Sequence, residues 1–413
     1  MKSKLLIAAA ANSAATAWSA IWTFPSILLS AFVIAWAAEA AQFLVSQGLA
    51  LAILAWLQTL PEFAVEAVIA WQAGKDPISC FVADPPSGCH SHLAIANYTG
   101  AIRLLVGLGW PMIYFVAAFF RARRKDLEGR ALSPIILDPE HSVEVLATIP
   151  PVLYFFIVWA KGSLGLLDAG ILLAMYAGYL AILWRFPPHS EEELADAPAV
   201  ARWAYTRPGP WRGVAITGLF LVGGFAIYFT AHPFLNSMLA VAASLGISQF
   251  VFVQWVAPFL SEFPEKVSAF QWASRVTKAP MALVNMLSSN VNQWTVLAAM
   301  IPIVFSLSRG EVAELPFDGV QRMEILLTIL QSIVAVLLLI NMKFEWWNAG
   351  LLFLLWLVQF LVADWREELS VAYSLWAVGL ILSWFWIPPA APQVFWNLVK
   401  RDRAAIAQPN TVR

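Results

Sequence analysis

Two short stretches, QTLPE at Gln58–Glu62 and SEFPE at Ser261–Glu265, carry the residues most able to do chemistry in this 413-residue chain. Each sets a glutamate directly after a proline inside an otherwise apolar segment. A carboxylate in lipid is costly, and proline removes a helical hydrogen bond, so the placement needs a cause. Proline frees a backbone carbonyl near mid-span, which is tolerable only where the backbone lines a cavity. A carboxylate beside freed carbonyls, hydroxyls and amides is a set of hard oxygen donors. Such donors suit Na+, Ca2+ or H+ rather than soft metals. Glu66 lies one helical turn after Glu62 and either shares its cavity or sits near the outer interface. Glu262 is either a further ligand or a residue on the cavity rim.

The elements that must position these groups are membrane helices. Hydrophobic residues make up 60% of the chain and charged residues only 12%, against about 25% charged in soluble domains. Mean hydropathy is +0.71. Apolar runs fall at about 24–41, 47–71, 92–120, 143–159, 164–184, 213–231, 246–272, 282–306, 323–342, 346–363 and 369–386. The expected fold is all-α, a polytopic membrane protein of about ten or eleven transmembrane helices. The first residues, MKSKLLIAAAANSAATAW, mimic a signal peptide, but a spanning segment follows at once, which favours retention.

Basic residues set the orientation. The loop RARRKDLEGR, Arg121 to Arg130, is the strongest positive cluster and should be cytoplasmic. Alternation then puts 185–212, 275–278, Lys343 and 400–403 on that side, and 75–92, 309–321 and 365–368 on the other. The N-terminus is expected outside and the C-terminus in the cytoplasm, with the plasma (inner) membrane as the location. Both cysteines of the chain, Cys80 and Cys89, fall in an external loop. They form a small disulfide loop in an oxidising compartment or remain unpaired thiols. Glu39 is expected at the end of the first span, near the membrane surface. His232 is read as capping a helix near the outer interface, and Arg103 as neutralising a carboxylate or snorkelling.

The two proline-glutamate segments resemble each other over a longer stretch. SQGLALAILAWLQTLPEFAVEA and SQFVFVQWVAPFLSEFPEKVSA both begin Ser-Gln, run apolar, and reach Pro-Glu. Each is followed by a span with a polar patch, IANYTGAIR at 95–103 and LSSNVNQWT at 287–295. The topology runs the first Pro-Glu helix outward and the second inward, an inverted repeat typical of secondary transporters. The expected organisation is a first half at 24–186, a linker at 187–212, a second half at 213–365 and an additional helix at 369–387.

At these residues the chain resembles the cation/calcium exchanger superfamily, which includes the sodium/calcium and proton/calcium antiporters. The resemblance implies two inverted repeats, and a cation site between them near the midplane. It makes Glu62 and Glu265 the two ligating carboxylates. Gln58 and Thr59 match the polar pair of the first motif, and Ser261 and Glu262 that of the second. Asn97 and Asn290 match amide positions, with Ser289 beside the latter and Gln293 near a position that is often acidic or Asn. Gln58 in place of a hydroxyl residue, Glu262 as an added carboxylate, and IANYTG in place of a Gly-Ser-Asn pattern are departures.

The implied function is secondary active antiport of Na+ or H+ against Ca2+, with no cofactor and with inorganic cations and the bilayer as partners. A monovalent cation/proton antiporter with the same fold is the nearest alternative. An intramembrane enzyme finds no HExxH and no supported Ser/His/Asp arrangement. No phosphate-cradling loop supports ATP-driven pumping, and nothing points to nucleic acid.

Overall fold

The computed structural model describes residues 16–44, 56–81, 89–123, 131–185 and 194–407. The signal-like residues 1–15, the Ser46-Gln47 start of the first repeat and residues 124–130 of the basic loop lie outside them. Among the described residues seven helices are long and apolar enough to cross a membrane, and the shorter apolar helices Gln249–Ser261 and Trp346–Leu361 join them.

In chain order the first half comprises α1 (Ala20–Gln42), α2 (Leu60–Ala73), α3 (His90–Leu104), α4 (Trp110–Arg123), β1 (Ile135–Ile136), α5 (Ser142–Ala147), α6 (Ile149–Lys161), β2 (Ser163–Leu164) and α7 (Leu166–Arg185). A short helix, α8 (Ala199–Tyr205), leads into the second half. There follow α9 (Pro210–Leu245), α10 (Gln249–Ser261), α11 (Phe263–Ser274), α12 (Ala279–Asn292) and α13 (Ala298–Arg309). The chain continues through β3 (Leu315–Pro316), α14 (Gly319–Leu339), β4 (Lys343–Phe344), α15 (Trp346–Leu361), α16 (Arg366–Ser383) and α17 (Ala390–Ala407).

Among the described residues the two halves share an order of elements. A π-helical turn, Leu105–Gly109, joins α3 to α4, and a second, Gln293–Leu297, joins α12 to α13. Each half then runs strand, helix, strand, helix. The strand pairing fixes the relative direction of the halves. Ile135 of β1 pairs with Phe344 of β4, and Leu164 of β2 with Leu315 of β3. The span at Pro139–Lys161 leads from β1 to β2, and α14 leads from β3 to β4. The leading strand of one half thus meets the trailing strand of the other at each end. The two spans therefore run antiparallel, and the repeats are inverted.

Burial separates a core from a periphery. The α3–α4 and α12–α13 rods are 72% and 67% buried over their apolar windows, whereas α9 is 22% buried. The peripheral helices α1 and α9 pack along each other, with Gly223 against the backbone of Ser30 and the side chain of Ile34. In the core, a Cβ at Gly100 would fall 1.8 Å from the carbonyl oxygen of Gln254, so only glycine lets α3 and α10 approach this closely.

One expectation changes. His232 lies inside the continuous 36-residue α9, exposed and bonded to Asn236 one turn on, rather than capping a helix end. Proline at 233 does not end α9. Glu39 sits in the last turn of α1, at the end of the first span, where it is buried and accepts from Ser268 Oγ of α11 at 2.7 Å. Two helices beyond the expected spans also appear, α8 and the C-terminal α17.

Candidate cation site

Both Pro-Glu motifs break a helix at a single residue. The helical turn ending at Gln58 stops at Thr59, which has φ −83° and ψ −4°, and α2 restarts at Leu60. The helix α10 stops before Glu262, at φ −94° and ψ 2°, and α11 restarts at Phe263. Proline causes the break, since Pro61 and Pro264 have no N–H for the carbonyls four residues back and are well suited to a first helical turn. Hydroxyls at the breaks fold back onto the preceding turn: Thr59 Oγ1 donates to Trp56 O at 2.8 Å, and Ser261 Oγ to Ala257 O at 2.9 Å. Glu62 and Glu265 then occupy the same place in the first turn of their half-helices, where the N-terminal dipole favours negative charge.

The side chains converge in the buried interior. Glu62, Glu66, Glu262 and Glu265 are all essentially fully buried. Gln293 Nε2, at the start of the π turn, donates to both oxygens of Glu62 (3.3 and 3.2 Å) and to Glu262 Oε1 (2.9 Å). Ser289 Oγ donates to Glu265 Oε1 at 2.5 Å. Lys266 Nζ, one helical turn beyond Glu262, pairs with Glu262 Oε2 at 2.5 Å and is itself 5% exposed. Asn285 Nδ2 reaches across to Gln58 Oε1 at 3.2 Å. Two oxygens of these residues are buried with no hydrogen-bond partner: Glu265 Oε2 and Gln293 Oε1. Unsatisfied buried oxygens of this kind are what a desolvated cation supplies with a partner.

The expected set is therefore brought together in large part. Gln293 bonds Glu62 and Glu262 across the repeats, while Ser289–Glu265 and Asn285–Gln58 are separate buried pairs. Thr59 and Ser261 stand at the breaks, with their hydroxyl protons committed to backbone. Asn97 donates to Glu66 Oε2 at 2.6 Å, so this pair forms a separate step further along α2. Asn290 is buried, but its Nδ2 has no partner, and Asn285 provides the amide contact instead.

The sequence model described as sodium/calcium exchanger protein matches residues 14–185 and 215–363. The chain belongs to this family. This exchanger is thus an integral membrane transporter of the cation/calcium antiporter type, not an enzyme. It is similar to the crystal structure of the H+/Ca2+ exchanger CAX at 30% identity and a TM-score of 0.80, covering 98% of this chain and 95% of that one. It shares its fold with the sodium-calcium exchanger NCX_Mj, at 18% identity and a TM-score of 0.53, over 84% of this chain and 98% of that one. A comparison with curated protein sequences returned no match.

Three charged or amide residues of the exchanger escaped the sequence reading. Lys266 was signalled by its place four residues after Glu262, which sets the two on one helix face. Asn285 lies in the same span as SSNVNQ, two turns upstream of Gln293. Glu324 sits just inside its span and receives both Arg103 and Arg366. Arg103 does not snorkel; it is 2% exposed, lies over the Trp255 ring at 5.3 Å, and neutralises Glu324. Gln254 Nε2 completes this second network at 3.0 Å from Glu324 Oε2. Between α2 and α3, Cys80 and Cys89 are joined as a disulfide.

Proposed function

We propose that this chain exchanges Ca2+, or a related divalent cation, for protons through one site built by Glu62, Glu262 and Glu265. The observation that carries the reading is the Lys266–Glu262 pair. Three carboxylates and one ammonium leave a formal charge of minus two, which balances one divalent cation or two protons. Lysine also occupies, as a tethered cation, the place a second monovalent ion would take. Gln293, Ser289, Gln58, Thr59, Ser261, Asn97, Asn290 and Glu66 contribute oxygens or orient the carboxylates. The likeness to an H+/Ca2+ exchanger at 30% identity supports the same choice of counter-ion.

Loading divalent cation and protonating the carboxylates are mutually exclusive, and that competition couples the two fluxes. The halves at 24–186 and 213–365 pivot about the site, with 187–212 as the cytoplasmic linker and 369–387 as an added helix. Alternating access arises as the α1–α9 pair slides along the core. A largely apolar groove lined by Leu60, Ala64 and Val68 on α2 and by Phe220, Ile227 and Tyr228 on α9 leaves room for that motion. The orientation places the N-terminus outside and the C-terminus in the cytoplasm of the plasma (inner) membrane.

Purified protein in proteoliposomes, supplied with radioactive Ca2+, tests the counter-ion. A pH gradient alone should drive Ca2+ accumulation without Na+. Accumulation that follows a Na+ gradient and ignores pH would assign sodium instead. Na+/H+ exchange with no Ca2+ movement would assign the monovalent alternative.

A further inference from the structure

Apart from the transport site, the turn ahead of α6 gathers a second set of ligating groups. Residues Pro139–His141 form a 3-10 turn between β1 and α5. One oxygen each of Asp138 and Glu140 and a ring nitrogen of His141 lie within 4.8 Å of one another. Asp138 is exposed, Glu140 half-buried, and His141 only 1% exposed. Neither ring nitrogen of His141 has a hydrogen-bond partner. Glu144, one turn on, is also buried, with Oε2 unbonded and 3.7 Å from His141 Nδ1. A buried imidazole with neither nitrogen hydrogen-bonded is rare in folded proteins, and this one is left with only the longer ion-pair contact to Glu144.

We propose that Asp138, Glu140 and His141, backed by Glu144, bind a divalent ion of the first transition row such as Mn2+ or Zn2+. The donor set decides the class. Calcium takes all-oxygen shells, whereas imidazole with carboxylates suits transition ions. Metal–donor bonds of about 2.1 Å put adjacent donors roughly 3 to 3.5 Å apart. The present spacing closes to that range if the exposed Asp138 side chain turns inward. The turn is packed between two functional neighbours: α5 contacts α12, which carries Ser289, and both the turn and α5 contact the C-terminal α17. An ion here braces α17 against the helix that presents Ser289 to Glu265.

Metal binding to chelator-stripped protein in detergent tests the site, read by calorimetry and by the Mn2+ electron-spin signal. A Glu62→Gln/Glu265→Gln background silences the transport site. One Mn2+ per chain should remain bound there, and His141→Gln should weaken it at least about tenfold. Asp138→Asn, an isosteric change at an exposed position, should do the same in otherwise native protein, lowering bound Mn2+ by one per chain. Absence of Mn2+ and Zn2+ binding in the background, or binding that both substitutions leave unchanged, would overturn the proposal.

Discussion

Glu62 and Glu262 come from opposite repeats, yet one amide holds both: Gln293 Nε2 lies 3.2 Å from Glu62 Oε2 and 2.9 Å from Glu262 Oε1. The bond is possible because Thr59 and Glu262 break their helices at equivalent points, so the two half-helix starts face each other across the π turn. Removing the amide leaves two carboxylates without their shared donor and removes a free carbonyl oxygen from the cavity. Gln293→Ala should raise the Ca2+ concentration for half-maximal exchange by about 10- to 100-fold, the scale of one or two charge-assisted hydrogen bonds. The maximal rate should change far less. An unchanged half-maximal concentration in a flux assay would remove Gln293 from the site.

Lys266 provides a test of charge balance. Alone, Lys266→Met leaves Glu262 buried without its partner, a loss on the order of 3–5 kcal/mol for buried pairs. Thermal unfolding in detergent should shift down, and proton-driven Ca2+ uptake should fall. Combining it with Glu262→Gln restores the formal charge of minus two and should recover a large part of the uptake. A double variant as inactive as the single one would show that the pair acts by geometry rather than by charge.

The Arg103–Glu324–Arg366 network should matter for stability rather than ion choice. Glu324→Gln strands two guanidinium groups, one of them fully buried, around a neutral amide. A lower unfolding temperature with an unchanged order of preference among divalent cations is expected. A change in cation preference would place this network on the ion path.

The orientation can be read from the disulfide. After mild reduction, an impermeant thiol reagent should label Cys80 and Cys89 in intact cells, and nothing without reduction. Labelling of a cysteine introduced into the Arg121–Arg130 loop under the same conditions would reverse the topology.

Much of the fold was legible because lipid imposes a length and composition on every span. Most described runs map onto helices, but the run at 213–231 continues to Leu245 and the run at 246–272 is split into two helices at Glu262. The inverted repeat was legible because Pro-Glu recurs with matching flanks. The sites of contact were less so. Asn285 rather than Asn290 reaches the first motif, since helix rotation and the π turn, not residue type, decide which amide faces inward. Lys266 was hidden because a lysine beside a glutamate reads as an interfacial charge until burial is known. His232 misled because proline at 233 suggests a helix end, whereas α9 runs through it. The strand pairs that fix the inversion, two residues each, are too short to leave any periodic signal.

The most direct measurement is Ca2+ exchange by Glu62→Gln and Glu265→Gln in proteoliposomes, with elution and unfolding profiles confirming folded protein. The amide keeps volume and one carbonyl oxygen but removes the charge that compensates a dehydrated cation. At roughly 5 Å and an effective dielectric of about 20, that charge against a divalent ion is worth ~7 kcal/mol before desolvation. Each variant should therefore lose nearly all exchange, while Glu66→Gln, bonded to Asn97 and further along α2, should alter only apparent affinity or pH dependence. Wild-type Ca2+ flux in both central variants would make the buried glutamates structural and contradict a carboxylate site between the repeats.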